Sequence, residues 1–371
     1  QMIVIPLVFA SIVTGLTGSG GTDQLRTLGI TVGLFFVVST GLAAAVGILL
    51  ALWVKPGSYI SINTNLDVSP ESVPTTDKLP ILEQLPDMVV GLLPSNPLNA
   101  MVEGQMVQIV LFAFVFGFAL LSLARDKSRP LLELLGALQE VCMSVVRWAM
   151  MLAPYAVFGL MAQLTSRTGW QTLIGLSVYV LTVIAGLGLL LIAYLLFLRL
   201  VAGERPLQFL GKARELMLLA FSTSSSAAVM PLSMKTAIEK FDVRESVARF
   251  VIPLGATVNM NGTALYQSIA AVFLAQVYQV ELSIGALVLI VMTAVGASIG
   301  SPATPGVGIV ILAGILTSIG VPSSGIALII GVDRLLDMSR TSINVSGDLV
   351  AAIYAERTLQ RKSIMKIAAA E

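Results

Sequence analysis

The feature that most restricts the fold of this sequence is a set of apolar runs long enough to cross a lipid bilayer. Residues 29–54 contain no charged side chain, and about 20 apolar residues in a helix span the hydrocarbon core. Of the 371 residues, 56% are hydrophobic and only 12% are charged, too few charges to keep a soluble domain dispersed. The sequence therefore predicts an all-α, multi-pass protein of a plasma or inner membrane.

The composition argues against several other classes of protein. A formal net charge of +1 without a basic stripe disfavours nucleic acid as a partner, because such binding depends on neutralising phosphates. The chain has no histidine and one cysteine, Cys142, which excludes a disulfide and disfavours a His/Cys metal site. The sequence contains no phosphate-binding Gly-x-x-x-x-Gly-Lys motif, so ATP-driven transport is not expected. No nucleophile is paired with a base, so we expect neither an enzyme nor a cofactor.

The N-terminal part of the chain alternates between apolar runs and one long polar stretch. The chain begins at Gln1 inside an apolar run, so we expect residues 1–28 to contain the remnant of a truncated span. Lys55 is followed by proline and glycine, which should end the helix formed by residues 29–54. Residues 56–96 are rich in polar residues and proline, and five of their six charged side chains are acidic. Basic residues favour cytoplasmic loops, so this stretch is expected to face outward.

Three apolar segments in the C-terminal part are interrupted by polar or helix-breaking residues, at 222–226, 257–263 and 300–308. Non-helical backbone leaves N–H and C=O groups unpaired in lipid, so it persists only where it lines a cavity or binds something. The apolar arms around the first and third breaks are too short for full spans, which predicts two re-entrant hairpins. An Asn-x-x-Gly helix follows each hairpin, as in inverted-repeat transporters. The serine run alone also fits a helix-packing patch of small residues.

The last apolar run, residues 325–354, carries a stripe of charged and polar side chains. At about 100° per helical residue, six of them fall within roughly 100° of arc. A charge at the bilayer centre costs at least ~2.5 kcal/mol, so these side chains should face a polar interior. The six residues are Asp333, Asp337, Arg340, Thr341, Asn344 and Asp348.

Two explanations of this stripe remain open from the residues alone. The first is a structural ion pair of Arg340 with Asp333 or Asp337, which lie on the same helix face. This ion pair does not account for Asp348 and Asn344, which lie further along the face and have no basic neighbour. The second is a ligand site in which the guanidinium holds a carboxylate bidentately while the aspartates hold an ammonium group or a sodium ion. Such a ligand is a zwitterion with an additional acid group.

Four segments carry a resemblance to a known family: 224–226 (SSS), 253–266 (PLGATVNMNGTALY), 298–300 (SIG) and 337–348 (DMSRTSINVSGD). Together they resemble the glutamate transporter family, the dicarboxylate/amino acid:cation symporters, and the resemblance extends over essentially the whole chain. It implies a secondary active symporter for glutamate or aspartate with sodium as the coupling ion. It also implies a homotrimer in lipid that works by an elevator motion.

The resemblance implies roles for individual residues. Arg340 is similar to the arginine that receives the side-chain carboxylate of the substrate, with Asp333 as its orienting partner. Asp337 is similar to the acid that takes the amino group, helped by Thr341. The remaining substrate-binding positions are Ser226, Thr263 and Asn344, together with Thr304 and Gly308 in the second hairpin, which closes over the substrate.

Three sodium sites are implied in the same way. The first comprises Gly255, Asn259, Asn344 and Asp348, and the second comprises Thr257, Met260, Ser298, Ile299 and Ser301. The third is a weaker set of Ser39, Thr40 and Asn261, because Asn261 replaces the aspartate of the family motif and Phe36 replaces a tyrosine.

Other departures from the family pattern concern arginine and glutamate positions. Many members carry an additional arginine where this chain has Ser224 or Met338, so different electrostatics are expected around Asp337. Gln267 stands where proton-coupled relatives carry glutamate, which makes sodium the expected coupling ion rather than the proton.

The resemblance also divides the chain. Residues 1–28 are a scaffold remnant, 29–55 a span associated with the transport domain, 56–96 the outward loop, 97–170 scaffold and trimerisation spans, 171–215 a scaffold span with a cytoplasmic turn, and 216–371 the transport domain.

Two alternatives to acidic amino acid transport stay open. Arg340 argues against a neutral amino acid carrier, because members of the family that take neutral substrates usually lack a cation at that position. Asp337 argues against a C4-dicarboxylate carrier, because a substrate without an amine leaves that acid unpaired. An anion channel is an alternative of a different class.

Overall fold

The computed structural model describes residues 5–6, 9–10, 13–14, 23–60, 96–103, 106–168, 170–299 and 307–368. Within these ranges the chain forms α-helices and short 3₁₀ turns, without a β-strand. The prediction of an all-α chain is therefore confirmed. Most of the predicted outward loop, residues 61–95, lies outside the described residues, as do the tip of the second predicted hairpin at 300–306 and two of its site residues, Ser301 and Thr304.

Twelve helices are described in chain order. They are α1 Asp23–Val54, α2 Pro97–Glu103, α3 Met106–Ser122, α4 Arg125–Thr168, α5 Trp170–Val201, α6 Pro206–Thr223, α7 Ser226–Phe241, α8 Glu245–Val258, α9 Asn261–Val277, α10 Ile284–Ile299, α11 Val307–Ser318 and α12 Ile326–Ala368.

Two stretches of the described chain are long and apolar enough to cross a membrane. They are Thr31–Tyr59, which includes most of α1, and Ile174–Val201 in α5. The outward face of α1 is apolar, with Leu42 and Leu49 more than 60% exposed and Trp53 82% exposed. A helix that is apolar on both its buried and its outward faces is typical of contact with lipid or with another apolar surface.

The end of α1 agrees with the sequence prediction. The helix stops at Val54, and Lys55 adopts a left-handed conformation with φ of 50°. Pro56 then begins a 3₁₀ turn that ends at Tyr59. The proline cannot supply an N–H to continue the helical ladder, so the chain leaves the helix here.

Two of the predicted breaks are visible as interruptions between consecutive helices. Ser224 ends α6 in a left-handed conformation with φ of 51°, and its N–H donates to the carbonyl of Ala220. Ser225 caps α7, because its hydroxyl accepts from the N–H of Ala228. Asn259 and Met260 separate α8 from α9 with non-helical dihedral angles. The re-entrant placement of the α6–α7 pair stays a prediction.

Helix α9 lies at the centre of the described structure. Every residue of this helix except Gln276 is buried, and it packs against α1, α5, α10, α11 and α12. The close approach of α1 depends on Gly47, where a Cβ would lie 2.7 Å from the backbone oxygen of Leu265. This arrangement places the first residues of α9, next to the break, beside the polar stripe of α12.

Gln276 joins the end of α9 to the end of α1. Its Nε2 donates to the carbonyl of Ala51 at 3.0 Å, and its Oε1 accepts from the backbone N–H of Gly57 at 2.9 Å. The side chain therefore holds the last turn of α1 and the following 3₁₀ turn against α9.

We expect Gln276→Ala to destabilise the protein by about 1–3 kcal/mol, because it leaves a partly buried backbone donor without a partner. Thermal unfolding of the purified protein in detergent measures this change. The matched control is Gln208→Ala, since Gln208 is exposed on α6. Equal unfolding temperatures for the two variants would show that the link contributes nothing.

Candidate functional site

The polar stripe of α12 is buried as the helical periodicity predicts. Asp333, Asp337, Arg340, Thr341, Asn344 and Asp348 are each at most 6% exposed. In contrast, Arg334, at the border of the stripe, is exposed. The stripe lies where α12 packs against α8 and α9, so the charged side chains are enclosed by protein.

Arg340 is the centre of one half of the site. Its Nη1 donates to Asp333 Oδ1 at 3.1 Å, and its Nε donates to Asp337 Oδ1 at 3.0 Å. The guanidinium carbon lies 4.1 Å from the centre of the Tyr266 ring, a cation–π contact. The guanidinium plane is therefore fixed by two carboxylates and one aromatic face.

Gly308, at the start of α11, packs against the guanidinium of Arg340. A Cβ at this position would lie 2.8 Å from Nη2 and 3.0 Å from Cζ, so a larger residue would displace the arginine. Although Nη2 lies 2.8 Å from Asp337 Oδ1, it has no well-directed hydrogen-bond partner among the described residues. A buried donor without a partner costs about 1–3 kcal/mol. We call the Nη2 side of the guanidinium its unpaired edge, and this edge can take an anionic acceptor.

The structural ion pair considered from the sequence is present, but it does not explain the whole stripe. Arg340 contacts both Asp333 and Asp337. Asp348 has no basic partner within the described part of the chain and instead accepts from Asn259 Nδ2 at 2.9 Å. Three carboxylates against one guanidinium leave the buried stripe with a formal charge of minus two.

The other half of the site surrounds Asp348. A Cβ at Gly255 would lie 2.6 Å from Asp348 Oδ1, so only glycine lets the carboxylate approach the backbone of α8 here. Asn259 Nδ2 also lies 3.4 Å from the carbonyl of Asn344. The Oδ1 atom of Asn259 is buried without a hydrogen-bond partner among the described residues. This set of oxygen atoms matches the ligands that hard cations prefer.

Asn344 joins α12 to the start of α9, next to the break. Its Oδ1 accepts from the N–H of Gly262 at 2.7 Å, and its Nδ2 donates to Thr263 Oγ1 at 3.1 Å. Thr341 donates its hydroxyl to the carbonyl of Asp337 at 2.7 Å. Three predicted substrate positions, Thr263, Thr341 and Asn344, thus lie on one enclosed surface.

The remaining predicted site residues are placed less completely. Ser226 is buried at the start of α7, which packs against α12. Met260 and Ser298 are buried, and Thr257 donates to the carbonyl of Leu254 at 2.9 Å. Ile299 ends α10. The assembly of the second predicted sodium set therefore stays a prediction.

The third predicted cation set forms a hydrogen-bonded cluster. Asn261 contacts Thr40 and Ser39 of α1, and also the hydroxyl of Tyr194 on α5. Phe36 is fully buried, and its backbone carbonyl accepts from Thr40.

Sequence reasoning did not identify two tyrosines that contact the site. Tyr194 lies on α5, far from Asn261 in the chain, and nothing in its local sequence signals the contact. Tyr266 follows Thr263 by about one helical turn, which places it on the same side of α9. That spacing could have pointed to Tyr266.

Gln267 Nε2 donates to the carbonyl of Gly308 at 3.3 Å, linking α9 to α11.

Comparisons with known proteins identify the family. The model of the sodium:dicarboxylate symporter family matches residues 1–358. The chain is 35% identical over 357 residues to the proton/sodium-glutamate symport protein of Bacillus subtilis (strain 168), covering 96% of this chain and 83% of that protein. It is 33% identical over 355 residues to the proton/glutamate-aspartate symporter of Escherichia coli (strain K12), covering 95% and 81%.

A relative with a different named substrate is equally similar. The chain is 35% identical over 401 residues to neutral amino acid transporter B(0) of Oryctolagus cuniculus, covering 98% of this chain and 73% of that protein. This chain is a helical membrane protein and belongs to the sodium:dicarboxylate symporter family. The family resemblance drawn from the sequence motifs is therefore confirmed.

We expect Asn344→Ala to lower the stability by about 1–3 kcal/mol, because it leaves the N–H of Gly262 without its acceptor. Asn344→Asp retains the acceptor oxygen, so this variant should lose less stability than Asn344→Ala. Thermal unfolding in detergent distinguishes the variants, with Ser339→Ala on the exposed face of α12 as the control. If Asn344→Ala unfolds at the same temperature as Ser339→Ala, Asn344 does not hold the break together.

Proposed function

We propose that this protein is a secondary active symporter that carries glutamate or aspartate together with cations, most favourably sodium. The observation that carries the proposal is the charge of the buried stripe on α12. Its formal charge of minus two becomes minus three when an acidic amino acid binds. Because an unbalanced charge is costly inside a membrane, cations that bind with the substrate lower the free energy of the loaded site. The names of the bacterial relatives agree with this proposal.

The substrate is held through both of its charge types. Arg340 takes the side-chain carboxylate through its unpaired edge, while Asp333 keeps the guanidinium oriented. Asp337 takes the ammonium group, with Thr341 beside it. The remaining contacts come from Ser226, Thr263, Thr304, Gly308 and Asn344.

The cations occupy oxygen-rich positions next to the helix break. The first position uses Asp348, Asn259 and the backbone of Gly255 and Asn344, where the buried amide oxygen of Asn259 has no partner among the described residues. The second uses Thr257, Met260, Ser298, Ile299 and Ser301. Gln267 cannot carry a proton as a glutamate would, which favours sodium over the proton.

Transport takes place by an elevator motion in a homotrimer of a plasma or inner membrane. Residues 216–371, with the span at 29–55, form the moving domain, and residues 97–170 form the scaffold. The resemblance placed residues 171–215 in the scaffold, but α5 packs in one core with α1, α9 and α12, so we place it with the moving domain. The α6–α7 pair and the segment around residues 300–308 act as re-entrant hairpins. Two features support this division: α1 packs closely on α9, and a separate apolar cluster joins α2, α3 and α4.

Two other substrates fit the site less well. A neutral amino acid, as in the name of the rabbit relative, leaves the unpaired edge of Arg340 without an anion. A C4-dicarboxylate has no amine for Asp337. An anion channel would give substrate-gated current without net uptake, and current recordings on the same membranes test this alternative.

We expect purified protein in liposomes to accumulate labelled aspartate when sodium is higher outside than inside. Uptake should follow the sodium gradient, because cations must enter with the substrate to balance the negative charge of the loaded site. The measurement compares an imposed sodium gradient with an imposed proton gradient, and unlabelled glutamate, alanine and succinate serve as competitors. Uptake that persists when a sodium ionophore collapses the gradient would rule out sodium coupling.

We expect Arg340→Gln to weaken aspartate binding by about 30-fold or more, which corresponds to the roughly 2 kcal/mol lower limit for removing a buried charged hydrogen-bond partner. Arg334→Gln is the matched control, because Arg334 is an exposed arginine on the same helix. Equilibrium binding of labelled aspartate measures both. Equal affinities for the two variants would place the substrate carboxylate elsewhere.

A further inference from the structure

The amide of Asn261 lies at a junction of three helices. Asn261 is fully buried at the start of α9. Its Nδ2 lies 2.7 Å from the hydroxyl of Tyr194 on α5 and 3.0 Å from Ser39 Oγ on α1. Its Oδ1 lies 2.6 Å from Thr40 Oγ1, also on α1. We call these four side chains the Asn261 cluster.

Every polar atom of this cluster has a neutral partner. The two N–H bonds of the amide point to two hydroxyl oxygens, and the amide oxygen accepts from Thr40. The carbonyl of Phe36 lies 3.1 Å from Ser39 Oγ and 2.7 Å from Thr40 Oγ1. Thr40 has one hydroxyl hydrogen, so it donates either to the amide oxygen or to the carbonyl of Phe36. If the amide is rotated by 180°, one N–H faces the Thr40 oxygen and the amide oxygen accepts from the other hydroxyls. Neither orientation places a formal charge in the cluster.

The Asp348 region differs from this cluster in two ways. It contains a carboxyl side chain without a basic partner among the described residues, and it contains a buried amide oxygen, that of Asn259, which accepts no hydrogen bond from them. The Asn261 cluster has neither a carboxylate nor an unpaired polar atom among its described members. A cation placed there would compete with N–H groups whose positive ends already face the hydroxyl oxygens. The four side chains of the cluster supply no counter-charge for a buried cation, which is unfavourable.

We propose that the Asn261 cluster is a cation-free link between α1, α5 and α9, in which the amide N–H groups occupy the role of a bound cation. The coupling cations of the proposed function, on which this inference rests, then bind at other positions, with Asp348 supplying the negative charge. The cluster fixes the helices around the break in α8–α9 whether or not sodium is present. Asn261 therefore determines how many cations the protein couples.

The direct test is the dependence of thermal stability on sodium, measured without substrate in detergent at constant ionic strength. Each cation that binds only the folded protein raises the unfolding temperature as its concentration rises. We expect Asn261→Asp to unfold at a lower temperature than the unmodified protein without sodium and to gain more from added sodium. Asn99→Asp is the control, because Asn99 is exposed on α2. Sodium should raise its unfolding temperature by as much as it raises that of the unmodified protein. Equal sodium gains for Asn261→Asp and the unmodified protein would overturn the proposal.

A second variant tests the proposal without introducing a charge. Tyr194→Phe removes one acceptor of the amide and should lower the unfolding temperature at every sodium concentration. The increase caused by sodium should equal that of the unmodified protein. A smaller increase would make Tyr194 a cation ligand and would contradict the proposal. This comparison decides the question even if Asn261→Asp does not fold.

Aspartate binding separates this inference from the proposed function. In Asn261→Asp the slope of log affinity for aspartate against log sodium concentration should rise by about one, measured at sodium concentrations low enough to leave the additional site empty without substrate. An unchanged slope in a folded variant would contradict the inference. A complete absence of aspartate binding by the unmodified protein would overturn the proposed substrate, while the unfolding measurements would still decide whether the cluster holds a cation.

Discussion

The buried guanidinium of Arg340, with its two carboxylate partners, is the interaction on which the rest of the site depends. A cation removed from water requires counter-charges, and Asp333 and Asp337 supply them within one helix. Nε and Nη1 donate to the two aspartates, whereas Nη2 has no well-directed partner among the described residues. A fully satisfied cluster would only stabilise the helix, whereas this incomplete one can accept an anion. The same carboxylates leave a net negative charge, which is why cations belong in the proposed function.

The break between α8 and α9 frees backbone acceptors that a continuous helix would use in its own hydrogen bonds. A regular helix uses its own backbone carbonyls, so it has few acceptors to offer an ion. At Asn259 and Met260 the ladder is interrupted, and the side chains of Asn259 and Asn344 form hydrogen bonds across the gap. Glycine at position 255 lets Asp348 approach the backbone. The polar half of the site thus depends on small residues and amides that replace lost helical hydrogen bonds.

Two asparagines near the break have opposite roles in this interpretation. Asn259 donates to a carboxylate and keeps its own oxygen unpaired among the described residues, so its surroundings favour a cation. Asn261 forms bonds through both ends of its amide and lies among neutral hydroxyls. The difference arises from the neighbouring helices, since α12 presents Asp348 to the first and α1 presents hydroxyls to the second. Similar side chains therefore serve ion binding at one position and helix packing at the other.

The sequence by itself determined the features that depend on local periodicity. The apolar run of α1, its end at Val54 and the buried face of α12 follow from composition and a 3.6-residue repeat, which act over a few neighbouring residues. The contacts of Arg340 with its two aspartates also lie within one helix, so spacing predicted them. Only the tertiary structure brought Tyr194 to Asn261, Gln276 to Ala51 and Gly308 to Arg340. These partners come from different helices, and their meeting depends on how whole surfaces pack, which no local pattern encodes.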